Sequence, residues 1–294
     1  MSLRLQQPGG GSVLVELVRG PAALTVLGDS LAGAAAAGTP LAGRRLLLPV
    51  ASAALYASGM ALNDWADRDL DALERPERPI PSGRISPAGA LKVAAGLTAA
   101  GLGVAALAGG RPGIRAAVPL AAAVWSYDLL AKPTPAGPAV MAACRALDVL
   151  LGAGPGGRRR ALPAAAAVAG HTLGLTVLSR GEVHGGSRVT ALGALAGTAA
   201  ATALTASGPA PSRLHRVAGL AGALGYAGLV GRRQLAAART PSPAAVRSAT
   251  VAGIHGMVPL QSAITARSGA PLPAAVLSLA LPLARRLGRK VSPT

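Results

Sequence analysis

The sequence predicts an all-α fold: a polytopic bundle of about nine or ten transmembrane helices. Three observations carry that expectation. Of 294 residues, 51% are hydrophobic and only 14% are charged, where soluble domains carry roughly a quarter charged residues. Mean hydropathy is +0.46. Apolar stretches recur along the whole chain, most of them at the roughly 17–25 residues a helix needs to cross a hydrocarbon core. They lack the polar faces that a soluble helical bundle requires. Lipid offers backbone groups no partner, so helices rather than open strands are the expected form.

In chain order the apolar stretches fall at about 21–38, 45–62, 88–109, 113–131, 137–154, 161–179, 189–207, 214–230, 249–266 and 271–284, the last being short. They imply one membrane domain over 21–287, preceded by a cytosolic segment 1–20 and followed by a tail 288–294. No cleavable signal peptide is evident, because the start is polar and Gly-rich, with Glu16 and Arg19 ahead of the first stretch. Abundant Gly and Ala suit close helix packing. The net charge of +18 would suit a nucleic-acid binder. The basic residues, however, sit in short connections rather than on one face, and three Tyr and two Trp leave little for base stacking. No nucleic-acid partner is expected. With the N-terminus in the cytosol and ten spans, the inner connections carry about 18 Lys and Arg against about 10 outside. Nine spans would move Arg285 to Lys290 outside and nearly remove the bias. The expected location is the cell membrane, multi-pass. The lone Cys144 excludes an intrachain disulfide and a Cys-rich metal site, and is expected as a small packing residue.

Only eleven residues are acidic, and six of them, Asp64, Asp67, Asp69, Asp71, Glu74 and Glu77, fall between positions 64 and 77. If the second span continues as a helix beyond the membrane, Asn63, Asp67 and Asp71 lie at i, i+4, i+8, and Asp64 shares their face while Asp69 points elsewhere. Carboxylates on one face repel unless a cation joins them. Mg²⁺, which takes one or two carboxylates together with waters and phosphate oxygens, suits that role. Arg75, Arg78 and Arg84 follow in a Pro-rich loop, and guanidinium groups bind phosphate oxygens bidentately. The bland alternative is a solvated charged loop at a helix end.

Asn63-Asp64-x-x-Asp67-x-x-x-Asp71, followed by Arg78-Pro79-Ile80-Pro81-Ser82-Gly83-Arg84-Ile85-Ser86, resembles the first motif of the UbiA superfamily of intramembrane prenyltransferases. The resemblance implies a helical bundle with its site in the inner loops. Mg²⁺ and basic residues there would hold the diphosphate of a polyprenyl donor. The allylic carbon–oxygen bond would ionise, and an acceptor, lipid-like or small, would attack the cation. It implies Asn63, Asp67 and Asp71 as the catalytic metal or diphosphate residues, with Asp64 as a supporting metal ligand and Arg75 and Arg78 on the donor's phosphates. It also places Tyr127 and Lys132, in Trp125-Ser126-Tyr127-Asp128-Leu129-Leu130-Ala131-Lys132-Pro133, beside the substrate. The other reading of these two is an interfacial Tyr and a snorkelling Lys. Asp128 is expected to pair with a nearby Arg. Arg19, in an Arg-x-Pro that resembles the family's start, is expected to face the cavity.

The family's second Asp-rich motif is altered. After the sixth span the chain reads Ser179-Arg180-Gly181-Glu182-Val183-His184-Gly185-Gly186-Ser187-Arg188, which resembles a divergent, EboC-like branch. Only Glu182 remains there as a metal ligand, with Arg180 offering charge to the substrate and the Gly-rich loop able to cradle an anion or serve as a plain turn. Within the spans, ionisable groups are expensive. Arg145 and Asp148, three apart on one helix, are expected to pair, or else to line a polar cavity, and Asp29 is expected near the outer end of its span. His171, His215 and His255 are scattered. The leading expectation is Mg²⁺-dependent prenyl transfer to an acceptor the sequence does not identify. The rival is a non-catalytic membrane carrier of a biosynthetic precursor.

Overall fold

The computed structural model describes residues 10–19, 23–39 and 41–279. Within them the chain forms α1 (Gly10–Leu17) and α2 (Ala23–Ala36). A 3-10 turn (Gly43–Leu47) leads into α3 (Leu48–Ala66), which is followed by the short α4 (Arg68–Glu74). Then come α5 (Pro87–Ser126), extended by a π-helical turn (Tyr127–Ala131), α6 (Gly137–Ala153), α7 (Arg158–Ser179), α8 (Arg188–Ser207), α9 (Arg213–Arg239) and α10 (Pro243–Arg267). A last helix, α11, covers 271–279. No strand occurs among the described residues. The remainder of the expected tenth span and the tail 288–294 lie outside them.

The long α5 is two helices. Gly110 takes φ 59° and ψ −145°, a conformation closed to other residues, and Pro112 stands in the first turn that follows, where its missing N–H is harmless. A Cβ on Gly113 would lie 2.1 Å from the Ala105 carbonyl oxygen, an approach impossible in a straight helix, where eight residues span about 12 Å. Trp125 Nε1 donates to Thr98 Oγ1 at 3.0 Å. The two arms therefore run antiparallel, matching the separate stretches 88–109 and 113–131. By length and apolar composition, 43–66, 87–131, 158–179 and 188–207 are each able to cross a membrane, and the turn at Gly110 divides the second of these into two arms. The protein is a multi-pass helical membrane bundle.

Packing is inverted relative to a soluble protein: small residues fill the interior, and large apolar ones such as Leu107, Val118, Leu224 and Val251 face outward. Without a hydrophobic drive between helices in lipid, close backbone approach supplies the association. Between α2 and α6 the approach is closest. A Cβ on Gly152 would lie 2.0 Å from the Ser30 carbonyl oxygen, and one on Gly33 would lie 1.8 Å from that of Val149. On the far side of the bundle, the buried His171 ring accepts from Tyr226 Oη at 2.7 Å and donates to the Gly253 carbonyl at 3.0 Å, joining α7, α9 and α10. The end of α3, the π turn, the start of α6, the end of α7 and the start of α8 all open on one face of the bundle.

Candidate functional site

That shared face carries the acidic motif. α3 ends at Ala66 and α4 starts at Arg68, with Asp67 at the junction (φ −88°, ψ 3°). The helical hydrogen-bond pattern nonetheless continues through it: Asp67 N–H donates to Asn63 O at 2.9 Å, and Asp71 N–H to Asp67 O at 2.8 Å. The predicted common face of Asn63, Asp64, Asp67 and Asp71 therefore survives the break.

Two cation-bridged pairs form on it. Lys132 Nζ, from the end of the π turn, donates to Asn63 Oδ1 at 2.8 Å and contacts Asp67 Oδ2, which also accepts from Asn63 Nδ2 at 3.1 Å. Arg78 Nη1 reaches Asp71 Oδ2 at 2.5 Å and Asp64 Oδ1 at 3.3 Å. Arg19 Nη2 donates to the same Asp64 oxygen at 3.1 Å, and Arg75 stands 3.8 Å from Asp71 Oδ1. Asp64 and Asp71 are buried, at 5% and 2% exposure, whereas Arg19 and Arg75 remain partly open to solvent. Arg84 is clasped by Glu16 of α1 at 2.5 and 2.8 Å. That hydrogen bonding raises the pKa of the guanidinium above its ordinary value. This fixes the Pro-rich loop against α1.

The residues fit a hard cation. Every donor on the face is an oxygen, and at two points, beside Lys132 Nζ and beside Arg78 Nη1, two side-chain oxygens converge on one positive charge, as the ligands of Mg²⁺ do. Among the described residues no three acidic, His or Cys side chains are gathered as a metal cluster; the carboxylates are held by cationic side chains instead.

Below the motif lies a cavity of about 260 Å³ between α2, α3, the second arm of α5 and α6. Arg19, Asn63, Tyr127 and Asp128 stand at its mouth, Met60, Val124 and Met141 on its walls, and Ser52, Arg145 and Asp148 deeper in. Cys144 is buried in α6 as expected and also lines this wall.

Three expectations are corrected. Arg145 does not pair with Asp148. Its Nε and Nη2 lie 2.9 and 3.3 Å from the carboxylate of Asp29, which is fully buried in the middle of α2 rather than near an outer end. Tertiary packing sets a carboxylate of another helix against the guanidinium, and the i, i+3 neighbour accepts from Ser52 Oγ at 2.6 Å instead. Asp128 likewise forms no ion pair with an Arg among the described residues; the nearest motif cation, Lys132, is committed to Asp67.

Arg180 donates to the carbonyls of Thr134 at 2.5 Å and Lys132 at 3.3 Å, bracing the turn that presents Lys132. Glu182 is half-buried in the α7–α8 loop, and its side chain makes no hydrogen bond or ion pair among the described residues. That loop is tied to the α9–α10 connection, with Gly186 N–H donating to the Pro241 carbonyl at 3.0 Å. Sequence reasoning missed Ser52, Tyr56 and Gln261. Gln261 donates to Asp29 at 2.7 Å from a helix 232 residues away, and only an unexplained polar residue within an apolar span signalled any of them.

The UbiA prenyltransferase family pattern matches residues 23–248. Over 73 residues the chain is 48% identical to a digeranylgeranylglyceryl phosphate synthase of Methanopyrus kandleri, covering 23% of this chain and 27% of that protein. A solved structure of a digeranylgeranylglyceryl phosphate synthase in membranes superimposes with TM-score 0.67 at 18% identity, covering 88% of this chain and 98% of that one. A UbiA homolog from Archaeoglobus fulgidus, solved bound to DMAPP and Mg²⁺, gives TM-score 0.61 at 17% identity, covering 86% and 99%. At these identities the solved structures speak to the fold.

Proposed function

Because the chain belongs to the UbiA prenyltransferase family, we propose that it transfers a prenyl group from a polyprenyl diphosphate, with Mg²⁺, to an acceptor bound in the central cavity. The observation that carries the reading is the mouth itself. Asn63 and Asp67 converge on Lys132, and Asp64 and Asp71 on Arg78, so acidic groups for a metal and cationic groups for phosphate sit interleaved above an apolar-walled cavity.

Asn63, Asp64, Asp67 and Asp71 would hold the metal, which when bound neutralises charge on the departing diphosphate. Lys132 and Arg78, freed from their carboxylates, donate to diphosphate oxygens, with Arg75 and Arg19 adding charge from the rim. Arg180 keeps Lys132 in place. The allylic carbon–oxygen bond breaks with its electron pair leaving on the diphosphate. Val124, Met60 and Met141 keep water from the allylic cation. Tyr127 orients the acceptor, whose nucleophile bonds to the allylic carbon and then passes its proton to the departing diphosphate. A second metal, if bound, would be held by Glu182 of the α7–α8 loop. The whole forms one domain over 21–287, in the cell membrane with the motif face toward the cytosol.

The test is diphosphate release by purified protein in nanodiscs supplied with geranyl, farnesyl or geranylgeranyl diphosphate and Mg²⁺, with and without a cell metabolite extract. Release in the wild type and its loss in Asp67→Ala is expected; Glu182→Ala reports on the second metal. Folded protein that neither binds nor cleaves these donors would transfer the assignment to a membrane carrier of a precursor.

A further inference from the structure

Charge is divided unevenly along the chain. After Glu182 the sequence has no Asp or Glu, yet it has twelve Lys and Arg. None of those within the described residues forms an ion pair. Two of them, Arg233 of α9 and Arg247 of α10, are exposed and border one open groove of about 480 Å³ between these helices. None of the groove's lining residues borders the central cavity. The helices themselves pack tightly: a Cβ on Gly256 of α10 would lie 2.2 Å from Val230 Cγ2 of α9.

The groove is graded along the bundle axis. The α9–α10 connection lies at the motif end, where Gly186 N–H holds the Pro241 carbonyl. Arg233 and Arg247 stand within about 9 Å of the helix ends that meet there, at 1.5 Å per residue. Ser248 lies beside Arg247 on the groove. One turn farther in, Leu229 follows Arg233 on α9 and Val251 follows Arg247 on α10, with His255 at the deep end. Val251 is 47% exposed, so the apolar half of the groove opens outward, toward lipid.

We propose that this groove binds a net-anionic phospholipid of the leaflet on the motif side. Its phosphodiester lies between Arg233 and Arg247, with Ser248 Oγ as a further donor, and an acyl chain runs inward along Leu229 and Val251. Three features select that occupant. Two guanidinium groups without carboxylate partners call for an anion, and phosphate oxygens suit their geometry. A zwitterionic headgroup would bring its own cation into a segment that has no acid to receive it, so a net negative lipid is favoured. The apolar half would add nothing for a soluble anion, whereas a lipid fills it and keeps its phosphate at the level where the membrane surface places it. Basic pockets between membrane helices hold anionic headgroups by the same physics.

The experiment titrates dioctanoyl phosphatidylglycerol, dioctanoyl phosphatidylcholine and glycerol 3-phosphate into the full chain in neutral detergent. Native mass spectrometry reads the dissociation constant of the first bound molecule. Wild type is expected to bind phosphatidylglycerol at least tenfold more tightly than either other probe. Arg233→Gln with Arg247→Gln should lose most of that preference. Arg213→Gln with Arg216→Gln, which removes equal charge from the other end of α9, should keep it. All four side chains are exposed, and a melting curve checks that both variants fold. Equal binding of the two phospholipids by wild type overturns the proposal whatever the variants do. Glycerol 3-phosphate binding as tightly as phosphatidylglycerol makes the groove a soluble-anion site and overturns the lipid. Equal losses in the two double variants reduce the preference to net charge and overturn the site. No donor, acceptor or Mg²⁺ enters the measurement, so its outcome is separate from that of the prenyl-transfer reading.

Discussion

Arg78 is the pivot of the acidic face, and its removal has a calculable effect. One nitrogen of its guanidinium bonds both Asp71 and Asp64, at 2.5 and 3.3 Å, and both carboxylates are buried. In Arg78→Ala they face each other with only the more exposed Arg19 and Arg75 to offset them. Two unit charges about 6 Å apart at an effective dielectric of about 20 repel by about 3 kcal/mol. Removing one partner of a buried pair costs about 3–5 kcal/mol; the remaining guanidinium groups reduce this to about 2–3 kcal/mol. The α3–α4 junction and the following loop should then open about 30- to 150-fold more often, read as faster amide hydrogen exchange over residues 67–84. Mg²⁺ should reverse the change, because an ion that binds only the closed face stabilises it by about 2.7 kcal/mol at a concentration of 100 Kd. Exchange unchanged by the substitution would refute the bridging role of Arg78. Faster exchange that Mg²⁺ leaves untouched would refute the carboxylates as its ligands.

Lys132→Met removes the charge between Asn63 and Asp67; with charge-assisted hydrogen bonds at about 1.5–3 kcal/mol, kcat/KM for the prenyl diphosphate should fall about 10- to 100-fold, and Lys132→Arg should recover part of it in the same release assay. Arg180→Ala, which only releases the carbonyls of Lys132 and Thr134, should raise KM for the donor by about three- to tenfold, with kcat changing less, since weaker positioning costs about 1 kcal/mol. Gly152→Ala places a methyl 2.0 Å from the Ser30 carbonyl and should destabilise the α2–α6 contact by about 1–3 kcal/mol. Gly156→Ala, which meets nothing within 4 Å, should melt like wild type in detergent.

The sequence by itself determined the bundle and the shared helical face of its acidic motif. Apolar length set the spans because backbone groups in lipid must be satisfied within each segment, and this holds even at the α5 fold-back, where two stretches separated by Gly110 and Pro112 read correctly as two helices. The i, i+4, i+8 spacing of Asn63, Asp67 and Asp71 fixed a shared face because helical periodicity is local. Tertiary structure decided the partners. Lys132 meets Asp67 across 65 residues and Gln261 meets Asp29 across 232, distances over which no periodicity carries information. The i, i+3 pairing of Arg145 with Asp148 was geometrically allowed, but Gly33 and Gly152 bring α2 so close to α6 that Asp29 takes the guanidinium and leaves Asp148 to Ser52 and the cavity. A charge inside a membrane takes the partner that packing places nearest, and packing depends on the whole bundle.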